Sequence, residues 1–142
     1  MALQNIDFQR EYSLPTEEFI DVLNRSTLGE RRPVNDVARI ESMLKNASLI
    51  ITARNNGKLL GVARSLTDFA FCTYLSDLAV DVQFQKSGIG VRLIRETKLH
   101  TPTAKLILLA APAAIDYYPK TGMTKFSHCF LLDDVNALVV KG

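Results

Sequence analysis

Tryptophan is absent from the 142-residue chain, and cysteine and histidine each occur only twice. Two cysteines cannot make a disulfide framework. Cys72 and Cys129 both sit in apolar runs, which reads as two buried free thiols. His128 adjoins Cys129, but Cys72 and His100 stand at distant spacings, so no zinc set forms without carboxylate help. A dense basic block is also missing. The net charge is only +2, with 17 basic and 15 acidic side chains interspersed, so nucleic acid is not expected as a partner. No apolar run approaches the ~18 residues of a membrane span. The opening residues, MALQNIDFQREYS, lack the basic-then-apolar order of a secretory signal. A cytoplasmic protein that touches no membrane is the expectation.

The apolar share is 47%, enough for a core. A chain of about 150 residues buries roughly two thirds of its unfolded surface without staples. No repeat, low-complexity stretch or linker interrupts it, so one domain over 1–142 is expected.

Local patterns alternate in type. Residues 3–10 read as a short strand. Thr16 reads as the N-cap of a helix with Glu17 and Glu18 in its first turn and Phe19, Ile20 and Leu23 on one side. Gly29, Pro33 and Asn35 punctuate a loop over 27–35. Asp36 caps a second helix, in which Val37, Ile40 and Leu44 recur at helical spacing. Residues 48–54 and 58–66 form a hairpin around Asn56-Gly57, since both positions tolerate positive φ. Residues 71–82 read as a long strand, 89–99 as a helix, and 105–110 as a buried strand. Residues 113–118 read as a short helix that Pro119 and Gly122 terminate, and 126–132 as a last strand. The order β-α-α-β-β-β-α-β-α-β implies a mixed sheet packed with helices and one parallel β-α-β unit.

The chemistry concentrates between Tyr74 and Gly90. A strand ends at Val82, and Gln85-Lys86-Ser87-Gly88-Ile89-Gly90 leads into a helix. The first amides of a helix have no internal partners and carry partial positive charge. Glycines at 88 and 90 allow close approach of a phosphate to the backbone. A dinucleotide fingerprint needs a third glycine at 93, where Leu93 stands, and no P-loop run exists.

A strand reading Leu78-Ala79-Val80-Asp81, followed by Gln85-x-x-Gly88-x-Gly90 and a helix, resembles the coenzyme A motif of the GCN5-related N-acetyltransferase (GNAT) superfamily. A second segment, Ala113 to Met123 with Tyr117-Tyr118 and Gly122, is similar to another motif of that family. The likeness covers about residues 36–132 and is nearest to small single-domain bacterial-type members. It implies a mixed, mostly antiparallel twisted sheet of about six to seven strands, splayed in a V between two parallel strands and flanked by about four helices.

The resemblance also implies roles. Acetyl-CoA is the implied acyl donor, in the opening between strands 76–82 and 105–110. Its pantetheine amides would pair with backbone of Leu78, Ala79 and Val80. Its pyrophosphate would sit on amides of Lys86, Ser87, Gly88, Ile89, Gly90 and Val91, in the loop opened by Gln85, with Lys86 and Arg92 available for a side-chain contact. An amine would attack the thioester directly, and an amide of the 78–80 strand would hold the oxyanion. Tyr118 aligns with the family's proton-donating tyrosine, and a phenol with a pKa of ~10 can reprotonate the leaving thiolate. The base is not evident. Lys105 to Leu109 carry no acid where many members have Glu, and Ala111 stands where Asn is frequent. Asp77 is the remaining acid, catalytic or substrate-binding on one reading and a hydrogen-bonded structural residue on the other. Asp81 reads as the cap of the turn after its strand. Arg31 and Arg32 lie in the loop that lines the acceptor site in relatives. They would read an anionic acceptor there, though a solvated loop is the commoner fate of such residues. Arg64, Thr67 and Asp68 mark a rim.

The implied function is acetyl transfer to the primary amine of a small molecule. An acyl-CoA-binding sensor without turnover, or an acetyltransferase of a peptide or protein amine, are the alternatives. A homodimer is the assembly that relatives suggest.

Overall fold

The computed structural model describes residues 5–140, which fall into two compact units divided between Leu109 and Ala110. The first holds a five-stranded sheet. Strands β1 (Ile6–Arg10), β2 (Leu49–Asn55), β3 (Lys58–Thr67), β4 (Cys72–Val80) and β5 (Lys105–Ile107) lie side by side in chain order. The first three pairings are antiparallel and the last is parallel. Helices α1 (Thr16–Arg25) and α2 (Val37–Lys45) pack on one face. Helix α3 (Ile89–His100) packs on the other.

Both faces of the central strands are therefore covered, and their sequences show it. Leu49 to Ala53 and Leu59 to Ser65 are buried without a break. A strand buried on both sides loses the polar alternation of a half-exposed one. On the α1–α2 side, Phe19, Val22, Leu23 and Ile40 meet Ile50, Leu59, Val62 and Ala79. On the α3 side, Ile89, Leu93 and Phe84 meet Leu49, Ile51, Leu60, Ala63 and Leu75. Gly61 of β3 leaves room for that contact, since a Cβ there would meet Leu93 Cδ1 at 3.1 Å and Ile89 Cγ2 at 3.3 Å.

Turn chemistry acts as read. Asn56 and Gly57 take φ of 49° and 83°, the pair of positive values a two-residue hairpin turn requires. Asp36 caps α2 by accepting from Arg39 N at 3.1 Å. Thr16 does not cap α1. Pro15 holds that position without a side-chain bond, and Thr16 is the first helical residue.

The second unit is sparse in regular structure. A short 3-10 turn over Pro112–Ala114 precedes helix α4 (Tyr117–Lys120). Pro119 lies inside α4 rather than ending it, as the first turn of a helix needs no proline N–H. Gly122 follows with φ of 98°. The strand expected over 126–132 is absent, so the sheet has five strands rather than six or seven. That run has strand composition, but its backbone finds no ladder among the described residues. The expected burial of the thiols is also not met. Cys72 and Cys129 are free, as expected, but both are exposed. Among the described residues no helix is long and apolar enough to cross a membrane.

Candidate functional site

Strand β4 carries one residue more than its partner needs. Arg64 pairs with Asp77 and Ser65 with Leu75, so Ser76 is an extra residue in the ladder. Such a bulge bends the strand and breaks its alternation. Leu75 packs in the α3-side core, while Ala79, an even number of residues on, packs on the α1–α2 side. Beside the bulge the sheet opens. Strand β5 matches β4 only at Cys72, Thr73 and Tyr74. The β4 edge from Leu75 to Val80 has no strand on that side among the described residues. Along Leu78, Ala79 and Val80 the outward-facing groups of Leu78 and the Val80 N–H therefore have no strand partner, while the Val80 carbonyl accepts from Gln85. This is the splay that the resemblance implied.

The loop after β4 is braced from within. Asp81 accepts from Gln83 N at 2.9 Å and from Arg25 Nη1 at 2.6 Å. Burial works to raise its pKa, but these two donors bring it below the ordinary carboxylate value. Gln85 Nε2 donates to Val80 O at 3.0 Å, and Ser87 Oγ donates to Phe84 O. Gln85 thus ties the loop to β4. Lys86 and Gly88 take φ of 64° and 91°, which swings the chain round before α3 begins.

These turns leave a run of bare donors. The backbone N–H groups of Lys86, Ser87, Gly88, Ile89, Gly90 and Val91 donate to no acceptor among the described residues. The first bond of α3 runs from Arg92 N to Gly88 O at 3.1 Å. No side chain caps the helix, and no acid lies in its first turn. A 12-residue helix with an uncapped N-terminus adds the field of its aligned dipoles. An anion with several oxygens has the chemistry to meet such a row of donors. Arg92 is not turned to that task, since its guanidinium stacks 4.0 Å over the Phe8 ring.

Asp77 lies on the opposite side of the bulge from the α3 core. It is fully buried, with Arg32 Nε on one carboxylate oxygen and Arg64 Nε on the other. Arg32 Nη2 also donates to Ser76 O at 2.8 Å. Arg64 reaches Met43 O and Ser76 Oγ, each at 3.1 Å. Arg32 is therefore no solvated loop residue, whereas Arg31 is exposed. Sequence reasoning placed Arg64 only at a rim. The missed signal was a lone charge inside an apolar strand, opposite the lone charge of the next strand. His100 Nδ1 is 2.8 Å from Glu96 O at the end of α3, and His128 is exposed beside Phe126.

In the second unit, Tyr118 packs edge-on against Tyr117, with centroids 5.2 Å apart. Burial pushes the Tyr118 phenol above its ordinary pKa, and Tyr117 adds to the shift. Its hydroxyl makes no hydrogen bond among the described residues.

The acetyltransferase (GNAT) domain profile matches residues 22–134. The chain belongs to the GNAT acetyltransferase family. This GNAT domain is 29% identical over 106 residues to the uncharacterized N-acetyltransferase ycf52 of Pyropia yezoensis, which covers 67% of the chain. The chain spans 57% of that relative's length. Among solved structures, a GNAT-family acetyltransferase from Streptococcus pneumoniae superposes with a TM-score of 0.76 at 19% identity, covering 94% of this chain and 99% of that one. An aminoglycoside acetyltransferase from an uncultured soil metagenomic sample, solved with sisomicin, gives 0.66 at 19% identity over 92% and 97%. These likenesses establish the GNAT fold for the chain.

Proposed function

We propose that this GNAT domain transfers an acetyl group from acetyl-CoA to the primary amine of a small molecule, by direct attack in a ternary complex. The observation that carries the reading is the row of six bare N–H groups from Lys86 to Val91 at the head of α3. That row suits the pyrophosphate of coenzyme A, and the open β4 edge at Leu78, Ala79 and Val80 suits the pantetheine amides. An amide on the same edge would hold the oxyanion that forms when nitrogen adds to the thioester carbonyl. Tyr118 is assigned as the proton donor to the departing thiolate by its place in the second motif. Its raised pKa keeps the phenol protonated at neutral pH. A small acceptor accords with the aminoglycoside enzyme among the structural neighbours. Cytoplasmic residence remains part of the same reading.

The base is the open step in the chemistry. Asp77 engages both oxygens with guanidinium groups, so its better-supported role is to hold the acceptor side of β4 in shape. The substrate ammonium then loses its proton to water or another group. This is also the observation that favours the second reading, an acyl-CoA sensor without turnover.

Thermal unfolding with acetyl-CoA, coenzyme A or ATP tests the first half. A ligand at 100 times its Kd adds about 2.7 kcal/mol, and only the two coenzyme A species should give it. Thiol release over pooled amines tests the second half. Tyr118→Phe should slow release strongly and leave the stabilisation intact. Stabilisation without release from any amine pool favours the sensor, and protection by ATP alone removes the proposal.

A further inference from the structure

The charged residues of this fold are paired unevenly. Arg25 meets two carboxylates, Asp21 and Asp81, and Arg54 meets two, Glu11 and Glu18. At the bulge the ratio is inverted, with Arg32 and Arg64 sharing the single carboxylate of Asp77. Neither has a second acid within ion-pair reach among the described residues. The cluster carries a net charge of +1 in a largely buried place. Asp77 is fully enclosed, Arg64 is 7% exposed, and only Arg32, at 23%, opens to solvent. Buried charge is costly unless matched, so a site built with one positive charge to spare is suited to an arriving anion.

Its position says which anion. Arg32 Nη2 bonds to the carbonyl of Ser76 at 2.8 Å. Ser76 lies two residues before Leu78, the first of the three residues proposed to border the thioester. At roughly 3.3 Å per residue along a strand, the guanidinium is within about 10 Å of that residue. An attack distance of about 3–3.5 Å and a charge-assisted bond of about 2.8 Å use up most of this interval. What is left is short, so an anionic group close to the attacking amine fits the interval best.

We propose that the acceptor is a carboxylate-bearing amine of the α-amino acid type, with its carboxylate on Arg32. Asp77 and Arg64 are positioning residues. They hold the guanidinium against β4 and supply the second positive charge. This inference rests on the acetyltransferase reading above and narrows its substrate class.

The test compares a pool of α-amino acids with the same compounds as α-amides, by acetyl-CoA-dependent thiol release. The wild-type protein should favour the acids by about tenfold or more in kcat/KM, as a charge-assisted pair does over a neutral one. Arg32→Gln should bring the ratio close to one, mainly through KM for the acids. Arg32→Lys should keep part of the preference, and Arg95→Gln, at an exposed position of α3, should keep it all. Amides used as well as acids, or a preference that survives in Arg32→Gln, overturns the proposal. So does turnover of neither pool while acetyl-CoA still stabilises the protein, which leaves the coenzyme A site standing. Absence of that stabilisation removes the underlying reading instead. The wild-type comparison decides even if the Arg32 variants fold poorly.

Discussion

Replacing Gly88 by alanine separates the backbone cradle from everything around it. Gly88 sits at φ 91°, and a Cβ there would meet nothing within 4 Å. The substitution therefore adds no clash and deletes no contact. Its whole cost is the left-handed conformation, about 1–2 kcal/mol for an L-residue. For 142 residues the unfolding entropy is about 0.3 kcal/mol/K, so Tm should fall by roughly 3–7 °C. Gly57 is the matched control, since its φ is 83° and a Cβ there also meets open space. Gly57→Ala should lose about the same stability. The two variants part company when ligand is added. With nothing packed against residue 88 to hold the turn, the variant loop relieves its strain by moving toward negative φ, and the N–H groups of Lys86 to Val91 no longer converge. Gly88→Ala should then lose most of the stabilisation by coenzyme A, and Gly57→Ala should keep it. The assay is thermal unfolding of both variants with and without saturating coenzyme A. Equal protection of both would refute the claim that these amides form the binding surface. Absence of destabilisation in both would refute the strain argument.

Three further outcomes are expected. Asp77→Asn leaves two guanidinium groups without their carboxylate and should cost about 3–5 kcal/mol in urea denaturation; a loss under 1 kcal/mol would mean that the cluster is already relaxed by water. Asp68 accepts N–H bonds from Phe71, Ala70 and Cys72, which lower its pKa to about 2. The folded value is depressed, so this stabilisation is present above the unfolded value near 3.9 and is lost as pH falls toward 2. An Asp68 carboxyl resonance that titrates near 4 in the folded protein would contradict it. Both thiols should react in the native protein with dithiobis-nitrobenzoate, since Cys72 and Cys129 are exposed; fewer than two reactive thiols before denaturation would count against that exposure.

What the sequence made legible was local. Asn56-Gly57 declared its hairpin because few residue pairs accept two positive φ values. Asp36 declared its helix because a short acceptor before an apolar period has one common use. The coenzyme A loop was legible for a similar reason, since two glycines between a strand and a helix constrain the backbone directly. What stayed hidden depends on partners distant in the chain. Nothing in Cys72–Val80 marks Ser76 as an extra residue, because a bulge is defined by the opposing strand. A strict period of two puts Leu75 and Asp77 on one face, and the ladder puts them on two. The run 126–132 has strand composition, but composition cannot supply the neighbour that makes a strand. The thiols were misjudged similarly, since apolar neighbours in sequence need not be neighbours in space. Asp77 was the borderline residue. Its type and place were visible, but its two guanidinium partners lie 13 and 45 positions away.

The extra residue at Ser76 has a consequence for how this chain tolerates change. It works as a phase shift. Upstream of it the odd-numbered side chains of β4 serve one helical layer, and downstream they serve the other. Almost any substitution at Ser76 preserves that phase, because the shift is a matter of residue count and not of side-chain identity. Deleting it would not merely shorten the strand. It would make Leu75 and Asp77 neighbours in an unbroken ladder, each still on its present face, and withdraw the kink that parts β4 from β5. Length therefore sets the opening at this point, and a single lost codon would straighten a strand that replacements at Ser76 leave bent.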